Sequence, residues 1–142
     1  MGAASKELET LKRIQKDLFR HFTYVTDRQQ HKTIEFWKGL DAIQSEIKRG
    51  DLKGDCEESA MAAVSLARQA GFDARLVICR DENGEGHCIA EIATHHRQEA
   101  YYIDNRHEVL AVRDDLSHYQ FYAVGPWNPV PGDTRPWYRV ID

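Results

Sequence analysis

Cys56 stands in a polar string, Lys53-Gly54-Asp55-Cys56-Glu57-Glu58, where a thiol has no apolar stripe to join. A lone cysteine most often serves as a small buried hydrophobe, and Cys79 and Cys88, inside apolar runs, fit that role. Cys56 does not. The residues after it, Ala60, Met61, Ala63, Val64, Ala67 and Ala70, suit a closely packed helix that ends at Gly71. Asp55 is a good N-cap, and Glu58, three residues on, completes a capping-box pattern. Cys56 is therefore expected in a first helical turn. Unpaired backbone N–H groups and the positive end of the helix dipole favour a thiolate there, the nucleophilic form of cysteine.

A thiol nucleophile needs a base to take its proton and return it to a leaving group. His87 follows Gly86 and opens an apolar run that reads as a strand. Asp104 ends Tyr101-Tyr102-Ile103-Asp104, a further strand. A carboxylate on the next strand can fix the tautomer of the imidazole and stabilise its protonated form. Taken alone, Asp104-Asn105 is ordinary turn chemistry; the order of the three residues gives it another meaning. His95 and His96 lie near a polar turn, and His21, His31, His107 and His118 show no accompanying pattern. For the oxyanion of an acyl-transfer step, the backbone N–H of Cys56 is the natural first donor. Gln44, Trp37 and Lys53 compete for the second place.

The elements that must position these residues follow from periodicity. Leu8, Leu11, Leu18 and Phe22, widened by Ile14 and Phe19, predict an amphipathic helix over about 6–25. Ile34, Trp37, Leu40, Ile43 and Ile47 predict a second helix that stops near Arg49-Gly50. After the helix of Cys56 the pattern changes. A strand over 74–79, a turn at Asp81-Glu82-Asn83-Gly84 and a returning strand over 86–94 read as a hairpin. Strands are expected at 100–104, 109–112 and 120–124, with a closing strand over 137–141. All four prolines fall within 125–136, which must be a loop. Tyr119, Tyr122, Trp127, Trp137 and Tyr138 could wall a cleft, but are read chiefly as residues that finish the core. Helices first and strands after imply an α+β fold, with helices packed on an antiparallel sheet.

The 142 residues suit one domain, 1–142. It divides into an N-terminal helix and connection (1–32), a core carrying the chemistry (33–112) and C-terminal strands with the proline-rich loop (113–142). Apolar residues make up 42% and charged residues 30%, as in globular proteins generally. A net charge of −4 argues against binding nucleic acid. No stretch is long and apolar enough for a membrane span, and no secretory signal is visible, so a cytoplasmic location is expected, with a periplasmic or phage-associated one as the alternative. Three cysteines give no complete disulfide framework and no CxxC pair.

Gly54-Asp55-Cys56-Glu57-Glu58-Ser59-Ala60, followed by Gly86-His87 and Ile103-Asp104-Asn105, resembles the transglutaminase-like superfamily, in particular the bacterial transglutaminase-like cysteine peptidases. The resemblance spans about 35–112. Trp37 sits where such proteins often carry an aromatic. It implies a papain-like core in which Cys56 is the nucleophile, His87 the general base and acid, and Asp104 the orienting residue. Glu58 replaces the usual Asp of the motif, and Ser59 a frequent aromatic.

The implied activity is cleavage of a peptide or isopeptide bond through a thioester, with a protein or peptide as substrate. Acyl transfer to an amine and cell-wall peptide hydrolysis use the same parts. A non-catalytic binding or assembly module on the same scaffold is the alternative of another class. No cofactor is required. Some periplasmic relatives bind calcium near the cysteine, and Asp55, Glu57 and Glu58 are the candidate ligands for it here. Those carboxylates also complement a helix N-terminus, while opposing ionisation of the thiol. Oligomeric state is not legible in the sequence.

Overall fold

The computed structural model describes residues 2–21, 23–24, 53–54, 56–94, 99–107, 109–130 and 133–140. Helix α1 spans Gly2–His21 and helix α2 spans Cys56–Gln69. Strands β1 (Thr23–Tyr24) and β2 (Lys53–Gly54) form a short parallel pair. That pairing brings the backbone just before Cys56 beside the end of α1. The expected helix over 34–47 lies outside the described residues.

The main sheet is antiparallel. It contains β3 (Asp73–Arg80), β4 (Gly86–Ala93), β5 (Ala100–Ile103), β6 (Gln120–Val124) and β7 (Tyr138–Arg139), in the order β5-β4-β3-β6-β7. Among the described residues, two helices pack on these five strands. The hairpin forms as expected, with Cys79 opposite His87 and Arg80 opposite Gly86. Its turn is closed by the Gly84 N–H donating to the Asp81 carbonyl at 2.9 Å. Gly84 adopts a φ of 79°, a conformation costly for a side-chain-bearing residue.

Burial splits the sheet into two faces. Ala74, Leu76, Cys88, Ala90, Ile92 and Ile103 face the helices. There they meet the small stripe Ala60, Ala62, Ala63, Val64 and Ala67 of α2, which lets the helix sit close, and Leu11, Ile14 and Leu18 of α1. Val77, Cys79, Ile89, Tyr102 and Phe121 build the second face with Ala111, Leu116 and Tyr119. Helix α2 ends where expected. Gly71, at a φ of 92°, donates its N–H to the Arg68 carbonyl, and the Phe72 N–H reaches back to the Ala67 carbonyl.

Four expectations need correction. Residues 109–112 do not form a strand: Ala111 makes an isolated bridge to Tyr102, and a 3-10 turn follows at Arg113–Leu116. The turn sinks Leu116 completely into the second core and is started by the Asp115 carboxylate, which accepts the Val112 N–H at 3.0 Å. Burying Leu116 requires the chain to leave the sheet. The closing strand is only Tyr138–Arg139. Phe19 does not widen the stripe of α1, because it is exposed. The C-terminal aromatics also divide: Tyr119 is buried, whereas Tyr122, Trp137 and Tyr138 are exposed and Trp127 is half-buried with Arg75 stacked on its ring at 4.3 Å. The proline-rich loop is pinned to β3 by Asn128, whose Oδ1 accepts the Ala74 N–H at 2.9 Å.

Candidate active site

The ladder between β4 and β5 ends at the pair Ala90–Ile103, and the next residue, Asp104, enters a turn closed by the His107 N–H on its carbonyl. The turn presents the Asp104 carboxylate to His87, the second residue of β4. His87 Nε2 lies 2.7 Å from Asp104 Oδ1, with both side chains almost completely buried. Facing a carboxylate, Nε2 is the protonated nitrogen in the neutral ring. Nδ1 is then left as the acceptor. It is buried and has no hydrogen-bond partner among the described residues.

Asp104 is held on both oxygens. Oδ1 also accepts the Arg106 N–H at 3.0 Å, and Oδ2 accepts the Tyr119 hydroxyl at 2.6 Å. Burial alone would raise the pKa of this carboxyl. The hydrogen bond and charge of His87, with the donors Tyr119 and Arg106, outweigh burial and hold it below the usual carboxylate range. The Tyr119 hydroxyl is correspondingly pushed up, first by burial and then by Asp104. Its ring meets the His87 ring edge-on, with centroids 5.4 Å apart.

Cys56 is the first residue of α2, half-buried against the helix-side core. Burial, then the charges of Asp104 and Cys56, push the Cys79 thiol up to about 12. Cys79 pairs with His87 across the ladder and belongs to the core on the second face of the sheet. Cys79 and Cys88 are themselves buried, as expected of core residues. Of the acidic neighbours, Glu58 is sealed in the interior at 2% exposure. Asp55 and the side chain of Glu57 lie outside the described residues, as do Gln44, Trp37 and the side chain of Lys53.

Three residues that the sequence did not single out for this site brace it. Gln15 of α1 donates from Nε2 to the His107 carbonyl at 2.7 Å and to the Asp104 carbonyl at 3.4 Å. A signal for it existed: Gln15 falls on the same helical face as Leu11 and Leu18, a polar residue within an apolar stripe. Arg106 pairs with Asp81 at 2.8 Å and ties the Asp104 turn to the hairpin turn. Tyr119 was legible only as one of several C-terminal aromatics, with nothing to tie it to Asp104. His107, read as patternless, has Nε2 3.4 Å from Asp104 Oδ2.

The Arg106 pair makes a testable contribution to stability. The Asp81 carboxyl is lowered to about 2, chiefly by the Arg106 hydrogen bond and then by the Glu85 N–H. A carboxyl whose folded pKa is depressed stabilises the protein above its unfolded pKa of about 3.9, and that contribution is lost as pH falls toward the folded value. Asp81→Asn is therefore expected to lower the urea midpoint at pH 5 and to have a smaller effect near pH 2. Equal loss at both pH values would contradict this.

Comparison with known proteins bears on the whole arrangement. The family model of the transglutaminase-like superfamily matches residues 1–112. Comparison with curated proteins gave no significant match. Among solved structures the chain is similar to LapG of Legionella pneumophila. One LapG structure shares 15% identity at a TM-score of 0.63, over 96% of this chain and 76% of that one. The calcium-bound form gives 17% and 0.62, over 87% and 72%. The EGTA-treated form gives 17% and 0.61, over 87% and 70%. These similarities are of fold.

Proposed function

The chain belongs to the transglutaminase-like superfamily, and on that premise we propose that it is a cysteine peptidase in which Cys56, His87 and Asp104 cleave a peptide or isopeptide bond. The observation that carries the proposal is the buried His87–Asp104 pair, bonded through Nε2 and leaving Nδ1 to serve another group.

In the proposed reaction, the Cys56 thiol gives its proton to His87 Nδ1, and the thiolate attacks the substrate carbonyl carbon. Asp104 stabilises the imidazolium that results. The backbone N–H of Cys56, at a helix start, receives the developing oxyanion. As the tetrahedral intermediate collapses, the C–N bond breaks and His87 Nδ1 returns the proton to the leaving amine. A thioester on Cys56 remains. Water then attacks it, giving one proton to His87, and the carboxylic acid departs as the thiolate is reprotonated. An amine that takes the place of water gives acyl transfer by the same steps.

Calcium dependence is a second reading, favoured by LapG having been solved both calcium-bound and EGTA-treated. Asp55, Glu57 and Glu58 would supply the oxygens. Calcium takes about six to eight oxygen ligands, whereas the one described carboxylate of the three is buried, and no group of three His, Cys, Asp or Glu suited to a metal occurs among the described residues.

The test is capture of the thioester. Incubation with a peptide library, acid quenching and mass spectrometry are expected to find an acyl mass on the peptide containing Cys56 and none on those containing Cys79 or Cys88. Hydroxylamine should remove it. Repeating the capture in EGTA reads the calcium question, since loss restored by added calcium supports that reading and unchanged capture rejects it. No acyl mass with any peptide or ester under either condition would count against the peptidase reading and favour a binding module.

A further inference from the structure

We propose that Tyr119 is a positioning residue for the site, holding the Asp104 carboxylate so that His87 keeps its proton on Nε2 and presents a bare Nδ1 to Cys56. The inference deepens the peptidase reading and rests on it. Tyr119 lies outside residues 1–112, the part of the chain that the family model matches. It comes from the segment between the 3-10 turn and β6, anchored there by its own N–H on the Leu116 carbonyl at 2.9 Å.

Three observations support this role. The Tyr119 hydroxyl donates to Asp104 Oδ2 at 2.6 Å, the oxygen that His87 does not use. The ring is 5% exposed and packs edge-on against the His87 ring, so the hydroxyl has little freedom to choose another partner. Oδ2 also has a competitor close by, because His107 Nε2 lies 3.4 Å from it, beyond good hydrogen-bonding distance. With the Tyr119 hydroxyl in place, the carboxylate is fixed with Oδ1 toward His87. Without it, the carboxylate is free to turn toward His107, and the two tautomers of His87 approach each other in energy. Only the Nε2–H tautomer has Nδ1 ready for the Cys56 proton.

The experiment is Tyr119→Phe, which removes one oxygen and keeps the ring. Two readouts are needed. The first is the rate of Cys56 acylation or alkylation, expected to fall about ten-fold, the equivalent of one hydrogen bond to a charged group. The second is the nitrogen-15 spectrum of the His87 ring, taken in a Cys56→Ser background at a pH where the ring is neutral. With Tyr119 intact, Nε2 should resonate as a protonated nitrogen and Nδ1 as a bare one. In Tyr119→Phe the two resonances should move toward each other. Packing alone would not produce that change. Resonances that keep their separation would overturn the inference and leave the peptidase reading intact. Conversely, a Cys56 that never reacts faster than an ordinary thiol sinks the peptidase reading, while the tautomer result remains readable. If Tyr119→Phe does not fold, 3-fluorotyrosine at position 119 keeps the hydroxyl and makes it a stronger donor. The His87 Nε2 resonance must then move, and an unmoved resonance overturns the inference.

Discussion

Asp104→Asn is expected to slow acylation of Cys56 by about three to four orders of magnitude, the scale on which a wrongly oriented histidine disables such a site. The shape of the side chain is retained, so packing is not the cause. The carboxylate accepts on both oxygens: from His87 Nε2 and the Arg106 N–H on Oδ1, and from the Tyr119 hydroxyl on Oδ2. An amide offers one acceptor oxygen and one NH2 group. If the oxygen stays with Tyr119, the NH2 group faces His87 and donates to Nε2, which forces the ring proton onto Nδ1. In the proposed mechanism, Nδ1 is the nitrogen that receives the thiol proton. If the amide turns the other way, its NH2 group meets the Tyr119 hydroxyl, and the negative charge that stabilises the imidazolium is still lost. Single-turnover acylation of both proteins, alongside their urea unfolding curves, separates this effect from instability. A variant that keeps its fold and acylates within about ten-fold of the native rate would remove Asp104 from the proposed mechanism.

How much of this was legible in the sequence depends on how far each interaction reaches along the chain. Cys56 was legible because its setting was wrong for a core cysteine and right for a helix start, and α2 begins at that residue. His87 and Asp104 were legible as a pair because adjacent antiparallel strands bring neighbouring ends together. Their separation of 17 residues is what the single β4–β5 hairpin spans. Gln15 is 89 residues from Asp104, and only the packed fold joins them. Tyr119 depends on the departure from the sheet after Ala111, where the short apolar run over 109–112 suggested a strand. Burial of Leu116 prevails over that pattern, and the resulting turn delivers Tyr119 beneath the site. Candidates for chemistry announce themselves by type, whereas the residues that hold them are fixed by long-range geometry.

The second large effect concerns His87. The ring is nearly sealed from solvent, so no buffer base can readily replace it. In the proposed mechanism, removing it takes away the acceptor for the thiol proton and the positive partner of the thiolate; it also leaves the Asp104 carboxylate buried without its imidazole. Loss of a positioned base costs about a hundred- to ten-thousand-fold in rate. Near-complete loss of acylation is therefore expected in His87→Ala. Part of that loss will reflect repacking around Asp104, so turnover alone is a blunt readout. The reactivity of the thiol itself isolates the pairing.

The most direct measurement is therefore the pH dependence of iodoacetamide alkylation, mapped by mass spectrometry on the native protein and on His87→Ala. In the native protein Cys56 is expected to react far faster than Cys79 and Cys88, with an apparent pKa well below the value of about 8.5 of a free thiol. That advantage should disappear in the variant. A Cys56 that titrates like an ordinary thiol, or that reacts equally with and without His87, would contradict the pairing on which the peptidase reading stands.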